Sequence, residues 1–180
     1  FIFFGFLYIP IVILVIYSFN SSKFAMIWTG FSFRWYEKLL TNDDMQQAAL
    51  NSLYVAFVAA PCATAIATFT ALVIVRGGSF KSREFSNGLV TLPLMVPEIV
   101  TAVATLIFFA FIGINLGLIN VMIAHTVFCI PFAYMPIKAS LEAMDPTLEV
   151  AARDLYSDRK STFRYITLPL LMPGIISGFM

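Results

Sequence analysis

A chain of 180 residues that is 60% hydrophobic and 12% charged, with a mean hydropathy of +0.89, has the composition of a membrane protein and leaves no room for a solvated globular surface. Its net charge of +1, with no basic stripe interleaved with aromatics, argues against a nucleic-acid partner. The two cysteines, Cys62 and Cys129, both fall inside apolar runs, so neither a disulfide framework nor a metal site is indicated.

A lipid span needs about 20 apolar residues. Residues 1–19 supply the first, interrupted only by Pro10; the run is too long, and lacks the small-residue cleavage pattern, for a signal peptide. Residues 20–50 are polar and aromatic, with Trp28, Trp35 and Tyr36 suited to a membrane–water interface. The second span is expected over 53–75, followed by a short basic loop over 76–87 with Gly77-Gly78 as a breaker. A third span over 88–112, a tight turn over 113–117 and a fourth span over 118–137 come next. Residues 138–164 form a charged island, and 165–180 begin a fifth span. Because both ends lie inside apolar runs, the expectation is an all-α polytopic membrane protein, one transmembrane domain cut off after the start of its fifth helix.

Lysine and arginine counts set the orientation. If the first helix runs outward, Arg76, Lys81, Arg83, Lys138, Arg153, Arg159, Lys160 and Arg164 all face the cytoplasm. Lys23, Arg34 and Lys38 lie outside, offset by Glu37, Asp43 and Asp44. The positive-inside rule therefore predicts a cytoplasmic island.

Two proline-interrupted stretches resemble each other: TLPLMVPEI from Thr91 and TLPLLMPGI from Thr167. Paired broken spans point toward a translocation path, whereas chance similarity in apolar sequence produces the same echo. Glu98, the acid inside a span, is expected near mid-bilayer if residues 88–112 form one helix. A carboxylate there costs about 2.5–3.5 kcal/mol on insertion scales and must face protein or water. Two readings stand for Glu98 and the adjoining Pro97. They line a path favouring a cationic substrate, or Glu98 has a structural role, capping backbone groups freed by Pro93 and Pro97 or bonding a partner helix. His125 has no acid or hydroxyl partner at catalytic spacing, so a helix–helix hydrogen bond is expected of it. Ser52, Thr64, Thr68 and Thr70 are expected to act as interhelical glue or packing.

The island carries the strongest pattern. Asp145-Pro146 has the form of a helix N-cap with proline at the first helical position. Leu148, Ala151, Ala152 and Leu155 then share one helical face, while Glu149 and Arg153 are spaced for a surface ion pair. A solvated loop would not need that apolar stripe, and alanines anchor poorly in lipid, so a docking helix for a protein groove is expected.

The island resembles the cytoplasmic loop signature of permease subunits in bacterial ATP-binding-cassette importers, E-A-A, three residues, G, nine residues, I-x-L-P. Ala151-Ala152, Ile166, Leu168 and Pro169 match it with every spacing kept. The signature's glutamate falls on Val150, with Glu149 one place early, and its glycine falls on Tyr156. Tyrosine costs roughly 1–2 kcal/mol if the left-handed turn is kept; the alternative is a redrawn turn, with Asp158 capping a short following helix. The stretches LYIPIVILVIYSFNSS, WTGFSFRWYEKLL and NSL extend the likeness to the C-type permease subunits of spermidine/putrescine importers.

That resemblance implies a type I importer transmembrane domain in the bacterial inner membrane, forming half of a translocation path for polyamines. It implies a second, related permease subunit, two copies of a cytoplasmic ATP-binding subunit and a periplasmic substrate-binding protein as partners, with lipid around the spans. Leu148, Glu149, Ala151, Ala152, Arg153, Leu155 and Tyr156 would then meet the ATPase, and a sixth span would follow Met180. No G-x-x-x-x-G-K-[ST] loop occurs in this sequence, so no cofactor is expected on this chain and ATP is expected on the partner; the chain is not expected to be an enzyme. An importer permease for another small solute, or an ATPase-independent channel or carrier, would also carry this composition.

Overall fold

The computed structural model describes residues 2–23, 27–77, 82–155 and 157–180. The chain divides into two compact units, Phe1–Ser52 and Leu53–Met180.

In the first unit, α1 (Ile2–Ser18) is followed by α2 (Arg34–Leu40), and α3 (Asp43–Arg76) begins. The segment between α1 and α2 is organised by Asn20, which is buried. Its amide donates to the Ile27 carbonyl (2.7 Å), and its Oδ1 accepts the Thr29 N–H (3.0 Å). Its own carbonyl accepts the Trp35 indole N–H at 2.9 Å. Phe19, Phe31, Phe33 and Tyr36 cluster beside it with ring centroids 5.1–6.3 Å apart, and Arg34 and Lys38 flank the Trp35 ring. A buried amide with both of its groups satisfied and a ring cluster hold this loop without regular structure.

The second unit contains most of α3, then α4 (Arg83–Thr91), a 3₁₀ turn (Leu92–Met95), α5 (Glu98–Phe111), α6 (Leu118–Ala143), α7 (Thr147–Asp154), α8 (Arg159–Thr162), a wide π turn (Phe163–Thr167) and α9 (Leu168–Phe179). Two of these helices, α3 and α6, are long and apolar enough to cross a membrane; the bent pair α4–α5 makes a third if counted as one span. α3 begins at Asp43, ten residues before the span expected from hydropathy, because Asn42 Oδ1 accepts the Met45 N–H and starts it there.

The core lies where α3, α6 and α9 meet. Ala59, Ala63, Ala67 and Ala71 form a four-residue-spaced stripe on α3, buried along its length. Ala67, Ala71 and Ile74 pack with Ala133, Tyr134, Ile137 and Leu141 of α6 and Leu171 of α9. In lipid, apolar burial gives no drive for helices to associate, so close van der Waals packing over small residues holds them together. At α6–α9 the closeness is extreme. A Cβ built on Gly174 would lie 2.5 Å from Ser140 Cβ, and one on Gly178 would lie 2.8 Å from the Ala133 carbonyl oxygen. A buried polar link joins α4 to α6: Asn87 Oδ1 accepts from Tyr134 Oη (2.8 Å) and Lys138 Nζ (3.0 Å).

The stretch 88–112 is not one straight helix. Val96 and Pro97 are extended, and the helices on either side are bent by 102°. Pro97 lacks an N–H and disfavours the α conformation at Val96, and the surroundings are exposed (Met95 88%, Ile99 78%), with little packing to hold the helix straight. The similar prolines of α9 leave it continuous. Pro169 follows directly on the π turn, where the helical hydrogen-bond ladder is already shifted, and Pro173 is bridged by the packing of Leu171, Gly174 and Gly178 on α6. The sequence echo therefore produces two different backbones. α5 ends in a reversed turn as expected: the Ile114 N–H reaches the Phe109 carbonyl (3.1 Å), and the Gly113 N–H reaches Ala110 (3.1 Å). Gly113 supplies the left-handed φ of 75° that this arrangement requires.

Candidate functional site

The island folds into the expected helix, one quarter-turn away from the expected orientation. Asp145 Oδ1 accepts the Thr147 N–H at 2.9 Å, so its carboxylate starts α7, with Pro146 ahead of the first regular turn. That bond holds the Asp145 carboxyl below its usual 3.8. Ala152 is buried (8% exposed), and Glu149 turns inward beside it, its side chain 12% exposed. Leu148 (45%), Val150 (55%) and Leu155 (82%) are exposed, together with Ala151 and Arg153. The outward apolar face is therefore Leu148, Val150, Ala151 and Leu155, rather than a stripe centred on Ala151-Ala152. Tyr156 lies outside the described residues. The expected pairing of Glu149 with Arg153 is replaced by another. Glu149 Oε1 lies 3.5 Å from Arg76 Nε and accepts the Thr167 hydroxyl at 2.9 Å. A carboxylate leaving water needs both a charge partner and a hydrogen bond, and these lie on α3 and before α9, so the helix rolls toward them.

The conformation at Tyr156 lies outside the described residues, while the cap expected at Asp158 is formed. The Ser157 N–H reaches back to the Ala152 carbonyl (3.1 Å), and Asp158 caps α8 by accepting the Ser161 N–H at 3.2 Å. The Ser161 bonds lower the Asp158 carboxyl below its usual 3.8.

A second polar locus lies between α5 and α6. Glu98 is the first residue of α5, immediately after the Pro97 break, so a depth counted along a continuous helix does not apply to it. Glu98, Thr101, Thr105, His125 and Phe128 line a groove of about 190 Å³. Sequence spacing left Glu98 and His125 without a common locus; the reversed turn after α5 lays α5 beside α6 and brings them to one. His125 shares a hydrogen bond with the Val121 carbonyl of its own helix (3.0 Å) rather than with another helix. Ser52, Thr64, Thr68 and Thr70 likewise donate to carbonyls four residues back, and so do not join helices. Among the described residues, the Glu98 carboxylate has neither an ion pair nor a hydrogen bond, and no cluster of His, Cys, Asp or Glu is arranged to hold a metal.

This geometry, a broken span with an unpaired acid and a polar helix outside the apolar core, coincides with a family match. Residues 63–180 match the family described as binding-protein-dependent transport system inner membrane component. The chain belongs to that permease family. The permease is 38% identical over 180 residues to the spermidine/putrescine transport system permease protein PotC of Haemophilus influenzae, covering 100% of this chain and 70% of that protein. It is 38% identical over 177 residues to PotC of Escherichia coli K12, covering 98% of this chain and 67% of the relative. It is also 38% identical to the putrescine transport system permease protein PotI of Escherichia coli K12, covering 98% of this chain and 65% of that protein. The permease is thus a membrane component of a transport system and not a member of an enzyme family.

Of the residues that sequence reasoning singled out, Leu148, Ala151, Arg153 and Leu155 lie on the open side of α7; Glu149 and Ala152 face the spans. Three positions were missed: Val150, Arg76 and Thr167. Val150 was marked only as a departure from a signature, and Arg76 only as a loop charge. Thr167 was counted only in an apolar repeat, because its pairing to Glu149 spans 18 residues.

Proposed function

We propose that this permease is one of two related membrane subunits of an ATP-driven polyamine importer, with spermidine or putrescine as substrate. The observation that carries the substrate is the 38% identity, over essentially the whole chain, to relatives named for spermidine and putrescine transport. In this reading the second permease completes the path, a binding protein delivers substrate at the outer face, and two cytoplasmic ATPase copies hydrolyse ATP, one docked on each permease. Leu148, Val150, Ala151, Arg153 and Leu155 present the docking face, and the island is cytoplasmic, as the lysine and arginine distribution requires.

Glu98 and Pro97 belong to the path. A polyamine is a flexible polycation with apolar spacers, and the groove at Glu98 offers an unpaired carboxylate with Phe128 beside it. The break at Pro97 sets that carboxylate at the positive end of α5, open to an ammonium group.

The test is coexpression of the full-length permease with its partner subunits, followed by labelled spermidine uptake into vesicles. A co-purifying ATPase together with ATP-dependent spermidine uptake is expected. Docking without spermidine or putrescine uptake would keep the importer and discard the polyamine. Absence of any co-purifying ATPase would overturn the docking reading.

A further inference from the structure

One side chain ties together every element that the docking helix must move. Arg76 is the last residue of α3. Its Nη2 donates to the Leu141 carbonyl (3.3 Å) and the Met144 carbonyl (3.2 Å), at the end of α6. Those carbonyls have no partners within the helix, and a guanidinium at the negative end of a helix is favoured. On its other side, Arg76 Nε faces Glu149 of α7 at 3.5 Å, and Glu149 holds Thr167 in the π turn leading into α9. Four helical elements therefore meet through one guanidinium, one carboxylate and one hydroxyl.

The contact in the middle is incomplete. Arg76 Nε is buried yet makes no hydrogen bond, because 3.5 Å is too long for one. Its hydrogen bonds to the α6 carbonyls and its ion pair with Glu149 hold α3 and α7 near each other without closing the link. Beside it lies a cavity of about 500 Å³, lined by Leu72, Arg76, Glu149, Arg153, Phe163 and Thr167, so α7 has room to move against α3. The wide turn carrying Thr167 is itself a deformable element of the kind often found where helices change register.

We infer that Arg76 is the positioning residue through which displacement of α7 reaches the spans, with the Arg76–Glu149–Thr167 link lengthening and closing as the transporter cycles. This rests on the docking reading above. A push on α7 moves Glu149, which draws on α3 and α6 through Arg76 and on α9 through Thr167. An arginine serving only to cap α6 would affect folding, and would leave the ratio of hydrolysis to transport untouched.

The experiment uses the complete transporter in proteoliposomes, measuring ATP hydrolysis and labelled spermidine uptake in the same preparation for wild type, Arg76→Met, Arg76→Lys, Thr167→Val and Arg76→Met/Thr167→Val. Co-purification of the ATPase with each variant is scored first. Expected is retained co-purification with uptake per ATP hydrolysed lowered about tenfold in Arg76→Met, in the range of ordinary allosteric couplings. Thr167→Val is expected to lower the same ratio about threefold, with little further loss when added to Arg76→Met, since members of one network are not additive. Arg76→Lys, which keeps the charge and loses the forked geometry, is expected to stay low. A wild-type ratio in Arg76→Met, or independent multiplicative losses in the double variant, would overturn the inference. If Arg76→Met does not accumulate in the membrane, Thr167→Val and Arg76→Lys decide it by the same ratio. Failure of the docking reading is separately visible, because the ATPase would then be missing from the wild-type preparation.

Discussion

Replacing Gly174 by alanine sets two opposite effects against each other. In a helix interior, alanine is favoured over glycine by about 0.8–1.0 kcal/mol, so propensity alone predicts a more stable protein. The structure predicts the reverse. The new methyl would stand 2.5 Å from Ser140 Cβ and 3.1 Å from the Pro136 carbonyl oxygen, both fixed to the backbone of α6. Carbon atoms rest about 3.5–4.0 Å apart, so α6 and α9 must separate by roughly 1 Å locally, and gaps of that size forfeit a quarter to a half of each contact energy along the seam. Overpacking of this kind costs about 1–3 kcal/mol. Gly178→Ala, 2.8 Å from the Ala133 carbonyl oxygen, belongs to the same seam and is expected to behave alike. A contact of 2.5 Å falls in the upper part of that range, about 2–3 kcal/mol, so after the propensity gain the net loss for Gly174→Ala is about 1–2 kcal/mol, or roughly 3–6 °C in the thermal midpoint for a protein of this size. Gly88, in α4, is the internal control. Nothing lies within 4 Å of its would-be Cβ, so Gly88→Ala is expected to raise the midpoint by about 2 °C through propensity alone. The assay is loss of monodisperse protein on heating detergent-solubilised full-length permease, followed by size-exclusion chromatography. A Gly174→Ala protein as stable as wild type, or shifted in the same direction as Gly88→Ala, would refute the packing argument.

Leu155→Asp, at an 82% exposed position, is expected to change stability by less than about 0.5 kcal/mol while abolishing ATPase co-purification; unchanged binding would remove Leu155 from the docking face. Ala152→Asp, at a buried position, is expected instead to lower the thermal midpoint, because the carboxylate would be forced inward beside Glu149, which already carries a like charge. Glu98→Gln is expected to leave assembly intact and to lower spermidine uptake about tenfold, the loss of one charge-assisted contact in the path; uptake at the wild-type rate would exclude Glu98 from it. Asp145 and Asp158 both titrate below their usual 3.8 in the folded protein because each accepts N–H bonds. Their contribution to stability is therefore complete above 3.8 and is lost as the pH falls through that value toward the lowered one. Asp158→Asn, which keeps the cap and removes the titration, is expected to flatten the decline in the thermal midpoint below about pH 4; an unaltered profile would deny Asp158 a part in it.

Much of this permease is written in local chemistry. Composition alone excludes a soluble fold, since no arrangement of a chain that is 60% hydrophobic hides its apolar surface from water. The helix start at Asp145, the cap at Asp158 and the reversed turn at Gly113 depend on residues a few positions apart, and each stands where its side-chain chemistry puts it. The apolar periodicity of α7 was legible for the same reason, as was the lone acid at position 98.

What needed the folded chain is set by partners far apart in sequence. Periodicity places Glu149 on a face but cannot say which face turns inward. That was decided by Arg76 and Thr167, 73 and 18 positions away, because a desolvated carboxylate goes where a cation and a hydroxyl can meet it. Two nearly identical proline stretches gave a sharp bend in one place and a continuous helix in the other. The difference lies outside both: α9 has α6 packed closely along it at Gly174 and Gly178, while residues 92–99 are mostly exposed. Glu98 and His125 share a groove because the turn after α5 folds that helix back along α6. Sequence by itself determined which segments are apolar, where helices start and stop, and which residues carry charge. Only the tertiary structure decided which charges meet, since an ion pair depends on distance in space and lipid offers a buried charge no other solvent.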